Sequence, residues 1–471
     1  MKPGKTKHNR HFSWGIFLAG LLLLAVSMST LAQRVYTLEE CIQLALENNI
    51  RIKQSRLEVE NTELSQLQSK LDLLPSLNVG SSHSIGWGRA LDMATYDYVD
   101  KQTKSTYFNI SSDLSLFSGF QKLNTIKQRR ADYLASKYSA DKIQNDVSLT
   151  VAGAYLQILF SRELLNNARL QADITAQQME RTRKLVEAGT LAHGSYLDVQ
   201  AQLANEEVAV VQYTNQLNLA YLDLLQLLEL KAGTPFEIEV PPLEITSEPS
   251  LLPVDMIYHK AIEFMPEIKS AEQQYLSSRQ SLNIARGSRS PSLSLSAALG
   301  TSFSDQIRVS NNPFDGDYNK IKPFRDQWTD NRNATLSFRF NVPIFNAYQI
   351  SSYIGKSRIG LMNADYNLQL SKNTLRKNVE TAYADALSAH STYVARGKSL
   401  ASLRESFHYT EQKFNVGMVN AIDYNLAKSQ LAKSESELLS AKYDYLFKLK
   451  ILDFYLGRPL TFNEKEKNTR E

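Results

Sequence analysis

The same pattern of residues occurs twice along the chain. Ala45, Glu47, Ile52 and Lys53 recur as Ala261, Glu263, Ile268 and Lys269, and Pro75-Ser76-Leu77 recurs as Pro291-Ser292-Leu293, each pair 216 residues apart. Farther along, Phe117 matches Phe345, Tyr155 matches Tyr383, Gly189 matches Gly417, and Gln202-Leu203-Ala204 matches Gln430-Leu431-Ala432, all 228 apart. The offset grows by 12 at one place, between Pro75 and Phe117 of the first copy. A duplication with one length change predicts two structurally equivalent halves that differ in one loop. The period is far longer than the roughly 20–50 residues of a solenoid repeat.

Residues 1–32 read as a signal peptide rather than as part of the fold. Lys2, Lys5, Lys7 and Arg10 form a basic start, Phe12 to Val26 is apolar, and Thr30-Leu31-Ala32 is a small-x-small cleavage site, so cleavage is expected after Ala32. The residue directly after that site is Gln33 and not cysteine, which excludes a lipoprotein signal, and the apolar run is short for an uncleaved anchor. The leader holds four basic and no acidic residues, so its removal takes the formal charge from +4 to zero. A neutral chain lacks the basic footprint of a nucleic-acid binder. The single cysteine, Cys41, excludes an internal disulfide and sits among the apolar positions of the first helix, as a buried structural thiol does. After the leader no apolar stretch approaches the ~20 residues of a membrane-spanning helix. The mature chain is then either soluble and exported or a membrane β-barrel.

Each copy reads as helix, strand, loop, strand, long helix, turn, long helix. The first repeat covers 33–234, with a strand hairpin over 76–117 and helices over 120–187 and 195–230. A Pro-rich linker covers 235–253. The second repeat covers 254–458, with a hairpin over 292–345 and helices over 348–416 and 421–456, and a polar tail covers 459–471. No proline falls between Pro75 and Pro235 or between Pro343 and Pro459. Proline breaks helix interiors, so these windows can hold long helices. Ile143, Val147, Val151, Ala154 and Ile158 recur at steps of four and three. Leu203, Val210, Leu217 and Leu224, and again Leu431, Leu438, Tyr445 and Leu452, recur every seven, the spacing of coiled-coil packing.

The strands carry the sharpest signal. Apolar residues at Leu77, Val79, Ile85 and Trp87 alternate with Asn78, Gly80, Ser84 and Gly86. Phe108, Ile110, Leu114 and Leu116 alternate with Asn109, Ser111, Asp113 and Ser115; Leu293, Leu295 and Leu299 alternate with serine, alanine and glycine; Leu336, Phe338 and Phe340 alternate with Thr335, Ser337 and Arg339. Each segment approaches the 9–11 residues that a tilted strand needs to cross a bilayer. The pattern predicts lipid on the apolar face and water on the other, with Asn109, Asp113, Ser337 and Arg339 facing a pore. Four strands cannot close a barrel, because the smallest membrane barrels have eight and an open edge in lipid leaves unpaired backbone groups. The chain must therefore oligomerise, and three chains supply twelve strands. Polar loops are expected at about Gly88–Ser105 and Ser304–Arg332, the second absorbing the 12-residue difference.

The doubled order of these elements resembles the TolC-type outer-membrane efflux factors. The matching motifs are Leu74-Pro75-Ser76-Leu77, Leu116-Phe117-Ser118-Gly119, Val342-Pro343-Ile344-Phe345-Asn346, Ala188-Gly189-Thr190-Leu191-Ala192 and Asn415-Val416-Gly417-Met418-Val419, within a resemblance spanning residues 37–457. It implies an α+β membrane protein: a duplicated protomer with four transmembrane strands and long periplasmic helices, forming a homotrimer. The trimer has a 12-stranded β-barrel in outer-membrane lipid that continues into a 12-helix α-barrel. It also implies docking of the helical tips (Gly189, Thr190, Leu191 and Ser195; Gly417, Met418 and Val419) onto a periplasmic adaptor of the membrane fusion protein type. The adaptor in turn engages an inner-membrane pump of the RND, ABC or MFS kind, or the duct serves type I secretion. In this family a Gly starts each tip and an acidic residue often follows six positions later. Asp423 holds that place after Gly417 and Ser195 after Gly189, and both residue types are also good helix N-caps. The resemblance implies an acidic periplasmic aperture at Asp423, and one turn later at Asp198 of the first copy, where the second copy has Leu426.

The seven histidines are scattered, two of them in the leader, and no His/Cys/carboxylate cluster has metal-ligand spacing. Phosphate-binding glycine loops and a G-x-S-x-G elbow are missing. No catalytic residue, cofactor or metal is expected. A passive export duct is the leading reading. A soluble periplasmic coiled-coil scaffold and a secreted enzyme with a fibrous domain are the alternatives. The scaffold leaves the apolar strand faces uncovered, and the enzyme lacks a segment long enough for a catalytic domain.

Overall fold

The computed structural model describes residues 35–91, 97–231, 233, 235–241, 252–310, 312, 314–318 and 320–461. The expected leader and most of the expected tail lie outside them. Among the described residues no helix is long and apolar enough to cross a membrane. The chain divides into two units. One comprises residues up to 52 with 144–260 and 379 onward; the other comprises 53–143 and 261–378.

The second of these units holds the sheet. Its strands are β2 (Asn78–Leu91), β3 (Tyr98–Ser118), β5 (Ser292–Ser304) and β6 (Asn333–Asn341), antiparallel throughout in the order β2-β3-β5-β6. The expected loop at Gly88–Ser105 is much shorter, because β2 and β3 stay paired out to Leu91 and Tyr98. Lys101, Lys104 and Asp100 look like loop residues by composition, yet they keep the ladder going where a solvated hairpin needs no apolar side chain. The other excursion, after Ser304, is partly folded. A short helix, α7 (Phe324–Asp330), is held by Gln327, which is fully buried, accepts from the Ser304 amide at 2.9 Å and donates to the Ser304 and Lys322 carbonyls. Phe324 and Trp328 then pack on Phe108 and Phe303.

Helix α2 (Ile50–Leu71) leads into the sheet, and α3 (Gln121–Glu187), α6 (Pro266–Gly287) and α8 (Gln349–Asn415) leave or approach it. Within this unit α3 and α6 are joined by a seam of small polar residues. Ser139 meets Ser270 at 2.8 Å, Ser277 donates to Asp132 at 2.5 Å, and Gln128 donates to Ser281 at 2.8 Å. Serine lets the two backbones approach while each hydroxyl keeps a partner.

The other unit packs the rest of α3 and α8 with α4 (His193–Leu227) and α9 (Ala421–Tyr455). The periodic apolar residues form its core: Val147, Val151, Ile158, Leu224, Leu431, Tyr445 and Leu452 are buried. The first helical stretch of the chain is broken at Asn49 into α1 (Leu38–Asn48), which belongs to this unit, and α2. Thr37 and Glu40 form a capping box on α1. Cys41 is fully buried, and burial, reinforced by Glu40, pushes its thiol up to about 12, so it is an inert packing residue. Part of the expected linker is structured: β4 (Glu237–Ile238) pairs in parallel with β1 (Val35–Tyr36), and Phe236 stacks on Tyr36 at 4.8 Å. Tyr155 donates to the Glu239 carbonyl at 2.7 Å and Arg162 reaches Glu237 at 2.5 Å, fastening this pair to α3. Helix α5 (Val254–Phe264) opens the second copy.

Candidate functional site

Register sorts the sheet residues onto two faces. Residues paired across an antiparallel ladder project to the same side. Val79, Ile110, Leu299 and Ala334 form one row; Leu114, Leu295 and Phe338 form another on the same face, with Leu293 beside Phe340. The opposite face carries the rows Gly80, Asn109, Gly300, Asn333, then Asp113, Ser296, Ser337, then Ser115, Ser294, Arg339. Asn109, Asp113, Ser337 and Arg339 thus share one small, polar face, where Ser296 donates to Asp113 at 2.6 Å. On the other face Leu336, Phe338 and Phe340 are 64%, 65% and 68% exposed, so within the chain nothing covers them. The outer edges of β2 and β6 are free of strand partners among the described residues.

The two helical tips repeat one geometry. Gly189 and Gly417 both lie at φ +75°, a left-handed position that costs glycine nothing. Beyond each, the next amide closes a bond six residues wide: Thr190 to the Leu185 carbonyl and Met418 to the Lys413 carbonyl, both 2.9 Å. Leu191, Val416 and Met418 are exposed. Across the tips Arg181 donates to Asn415 at 3.1 Å.

Two expected caps are displaced. Helix α4 begins at His193 after Ala192, which makes no side-chain cap, and Ser195 is already its third residue. Helix α9 is capped by Asn420, whose side chain accepts from the Asp423 amide at 2.9 Å. Asn420 was the capping residue to find: it lies three residues before an acidic one, the spacing of an N-cap and its third position. Asp423 is therefore freed from capping and is exposed in the first turn of α9, and Asp198 is exposed one turn into α4. Next to it Tyr424 is buried and stacks on Phe414 at 4.5 Å, which pins the start of α9 to the end of α8. Burial, with Glu411 and Glu206 nearby, pushes its hydroxyl up to about 12.

A further polar group was not legible in the sequence. Lys428 on α9 is buried and donates to Thr175 and to the Gln171 carbonyl on α3, and at 3.3 Å to Glu206 on α4. Burial lowers its pKa, and Glu206 opposes the shift. Among the described residues no group of three or more His, Cys, Asp or Glu side chains is placed to hold a metal ion.

The chain belongs to the outer membrane efflux protein family, whose pattern matches residues 41–229 and 257–458. Its location is accordingly the outer membrane, and the family is one of transport proteins. The toluene efflux pump outer membrane protein TtgF of Pseudomonas putida is 24% identical over 87% of this chain and 80% of its own length. The outer membrane protein TolC of Vibrio cholerae is 23% identical over 90% of this chain and 92% of its own. Among solved structures CusC superposes with a TM-score of 0.75 at 18% identity, covering 90% of this chain and 92% of that one. VceC of Vibrio cholerae superposes at 0.71 and 13% identity, covering 90% and 96%.

Proposed function

We propose that three copies of this outer-membrane efflux protein close their sheets edge to edge, β2 of one against β6 of the next, into a 12-stranded barrel. The barrel continues into a tunnel of twelve helices through the periplasm. The observation that carries this reading is the four-stranded sheet with two open edges and one uncovered apolar face. In lipid each unpaired edge group costs several kcal/mol, and closure removes all of them. The apolar rows then face lipid, and Asn109, Asp113, Ser337 and Arg339 face the lumen.

The channel is passive. The tips at Gly189–Ser195 and Gly417–Asp423 dock a periplasmic adaptor through the exposed Leu191, Val416 and Met418, and the adaptor links the duct to an inner-membrane pump. Asp423, with Asp198, lines the periplasmic aperture. The relatives are described as serving toluene, solvent and cation efflux, which accords with a conduit whose cargo is chosen by the pump. Size-exclusion chromatography with light scattering on protein extracted from outer membranes tests closure. A trimer that needs detergent is expected, and a monomer with its sheet signal intact in detergent-free buffer overturns it.

A further inference from the structure

At the foot of the sheet, where β3 gives way to α3, lies a cleft of about 470 Å³ between the start of α3 and the end of α6. Gly119, Phe120, Leu123, Lys127, Arg286 and Ser290 are among its lining residues. Gly119 and Phe120 both take left-handed backbone conformations, φ +60° and +61°, which swings the chain out of the strand and into the helix. A Cβ at Gly119 would stand 2.3 Å from the Gly287 carbonyl, so only glycine permits this approach.

Two observations give the cleft a ligand class. Phe120 lies edge-on to Phe117 at 5.5 Å, and Phe117 pairs with Leu293 in the apolar rows, so the mouth opens on the lipid side of the sheet. Phe120 and Leu123 are 63% and 47% exposed there. Lys127 and Arg286 supply two cations; no acidic residue lines the cleft, and neither cation has an ion-pair partner among the described residues. An aromatic at the membrane edge beside basic residues between helices is the chemistry that takes an anionic headgroup, and guanidinium matches phosphate geometry. The duplication supplies a contrast. At the offset of 228, Phe120 corresponds to Tyr348 but Lys127 corresponds to Gly355, so the second copy keeps the aromatic and loses the cation.

We propose that this cleft binds one phospholipid of the periplasmic leaflet per chain. Lys127 and Arg286 hold the phosphate, and Phe120 and Leu123 lie along the first acyl carbons. The inference rests on the membrane reading above. Native mass spectrometry of the full chain extracted in detergent and titrated with dioleoylphosphatidylglycerol tests it. Retention of one lipid per chain is expected, reduced about five-fold by Lys127→Gln or Arg286→Gln, since each cation near an anionic headgroup adds about that factor. Lys127→Arg should retain lipid, which separates loss of charge from loss of fold. Lys356→Gln, an equal charge change at an exposed site near the start of α8, should have no effect. Unchanged retention in Lys127→Gln and Arg286→Gln, equal loss in Lys356→Gln, or full displacement by equimolar glycerophosphate overturns the proposal. Failure of the membrane reading would show separately, as a chain that stays in solution without detergent.

Discussion

Lys428 Nζ and Glu206 Oε1 meet 3.3 Å apart on helices from different copies of the repeat, with side chains only 5% and 14% exposed. Thr175 sits between them, donating to Glu206 at 2.5 Å and accepting from Lys428. At the offset of 228 the counterparts of Lys428 and Glu206 are Gln200 and Ser434, so the charged pair occurs once. The two halves therefore match in the lengths of their helices but not in the polarity of their cores. One groove between helices is locked by charge and the other is not.

Breaking that pair should be costly and removing it should not. Lys428→Met leaves a mostly buried carboxylate unpaired, a change worth about 3–5 kcal/mol. The double variant Lys428→Met/Glu206→Met removes both charges and should recover most of that loss. Thermal melts of the four proteins of this cycle, followed by circular dichroism, give the coupling; additive losses would show that the contact is not formed.

The same site gives a pH dependence of known sign. Burial holds the folded-state pKa of Lys428 below its ordinary value of 10.5. In the window between the two values the unfolded chain binds more protons than the folded one, so stability from this group rises with pH there. Below the folded pKa the cost of the buried charge is fully present. Wild type should thus gain stability relative to Lys428→Met as pH rises toward 10.5, as read from melts in a pH series.

The faces of the sheet should differ in their tolerance of charge. Phe338 lies in an apolar row with Leu295 and Leu114, and Ser337 in a polar row with Ser296 and Asp113. A basic residue on the lipid face at mid-bilayer costs roughly 2–4 kcal/mol. Phe338→Arg should sharply lower the yield of SDS-resistant oligomer from outer membranes, whereas Ser337→Arg should leave it near wild type. Equal yields would reject the register.

Asn420, not Asp423 or Ser195, holds a tip helix by its side chain. Asn420→Ala should cost about 1 kcal/mol at the start of α9 and speed hydrogen exchange of the Asp423 amide, which loses its acceptor. Ser195→Ala should leave exchange in α4 unchanged, because that helix starts at His193 without a side-chain cap.

What the sequence discloses tracks the range of the interactions involved. The strand faces were legible because alternation is local and β-register can only confirm or flip it. The glycine tips were legible because one residue type solves the left-handed turn twice. Gln327 and Lys428 were hidden: each is a polar residue of ordinary surface type whose partners lie on other elements. The caps were misplaced by three residues because serine and aspartate are common both at caps and in first turns. The reach of β2 and β3 was underestimated since Lys101 and Lys104 extend a ladder whose solvated end needs no apolar pattern.

Release from capping leaves Asp423 available for the aperture. Its side chain is exposed in the first turn of α9, one turn before Leu426, which is 59% exposed, and Tyr424 anchors that turn on Phe414. Three chains around one axis would bring three such carboxylates together, with three from Asp198. Converging carboxylates repel one another and attract cations, most strongly where the tunnel narrows and water is scarce. The closed duct should therefore be cation-selective and blocked by millimolar trivalent cations. Asp423→Asn keeps the backbone and the Asn420 cap, so the trimer should survive while selectivity falls and block weakens; Asp198→Asn should act in the same direction. Planar-bilayer conductance of wild type and both variants, with reversal potentials in a salt gradient, makes the measurement. If neither reversal potential nor block moves in Asp423→Asn, the carboxylate is a solvated first-turn residue, and the constriction is formed by other residues, with the exposed Leu426 the next to substitute.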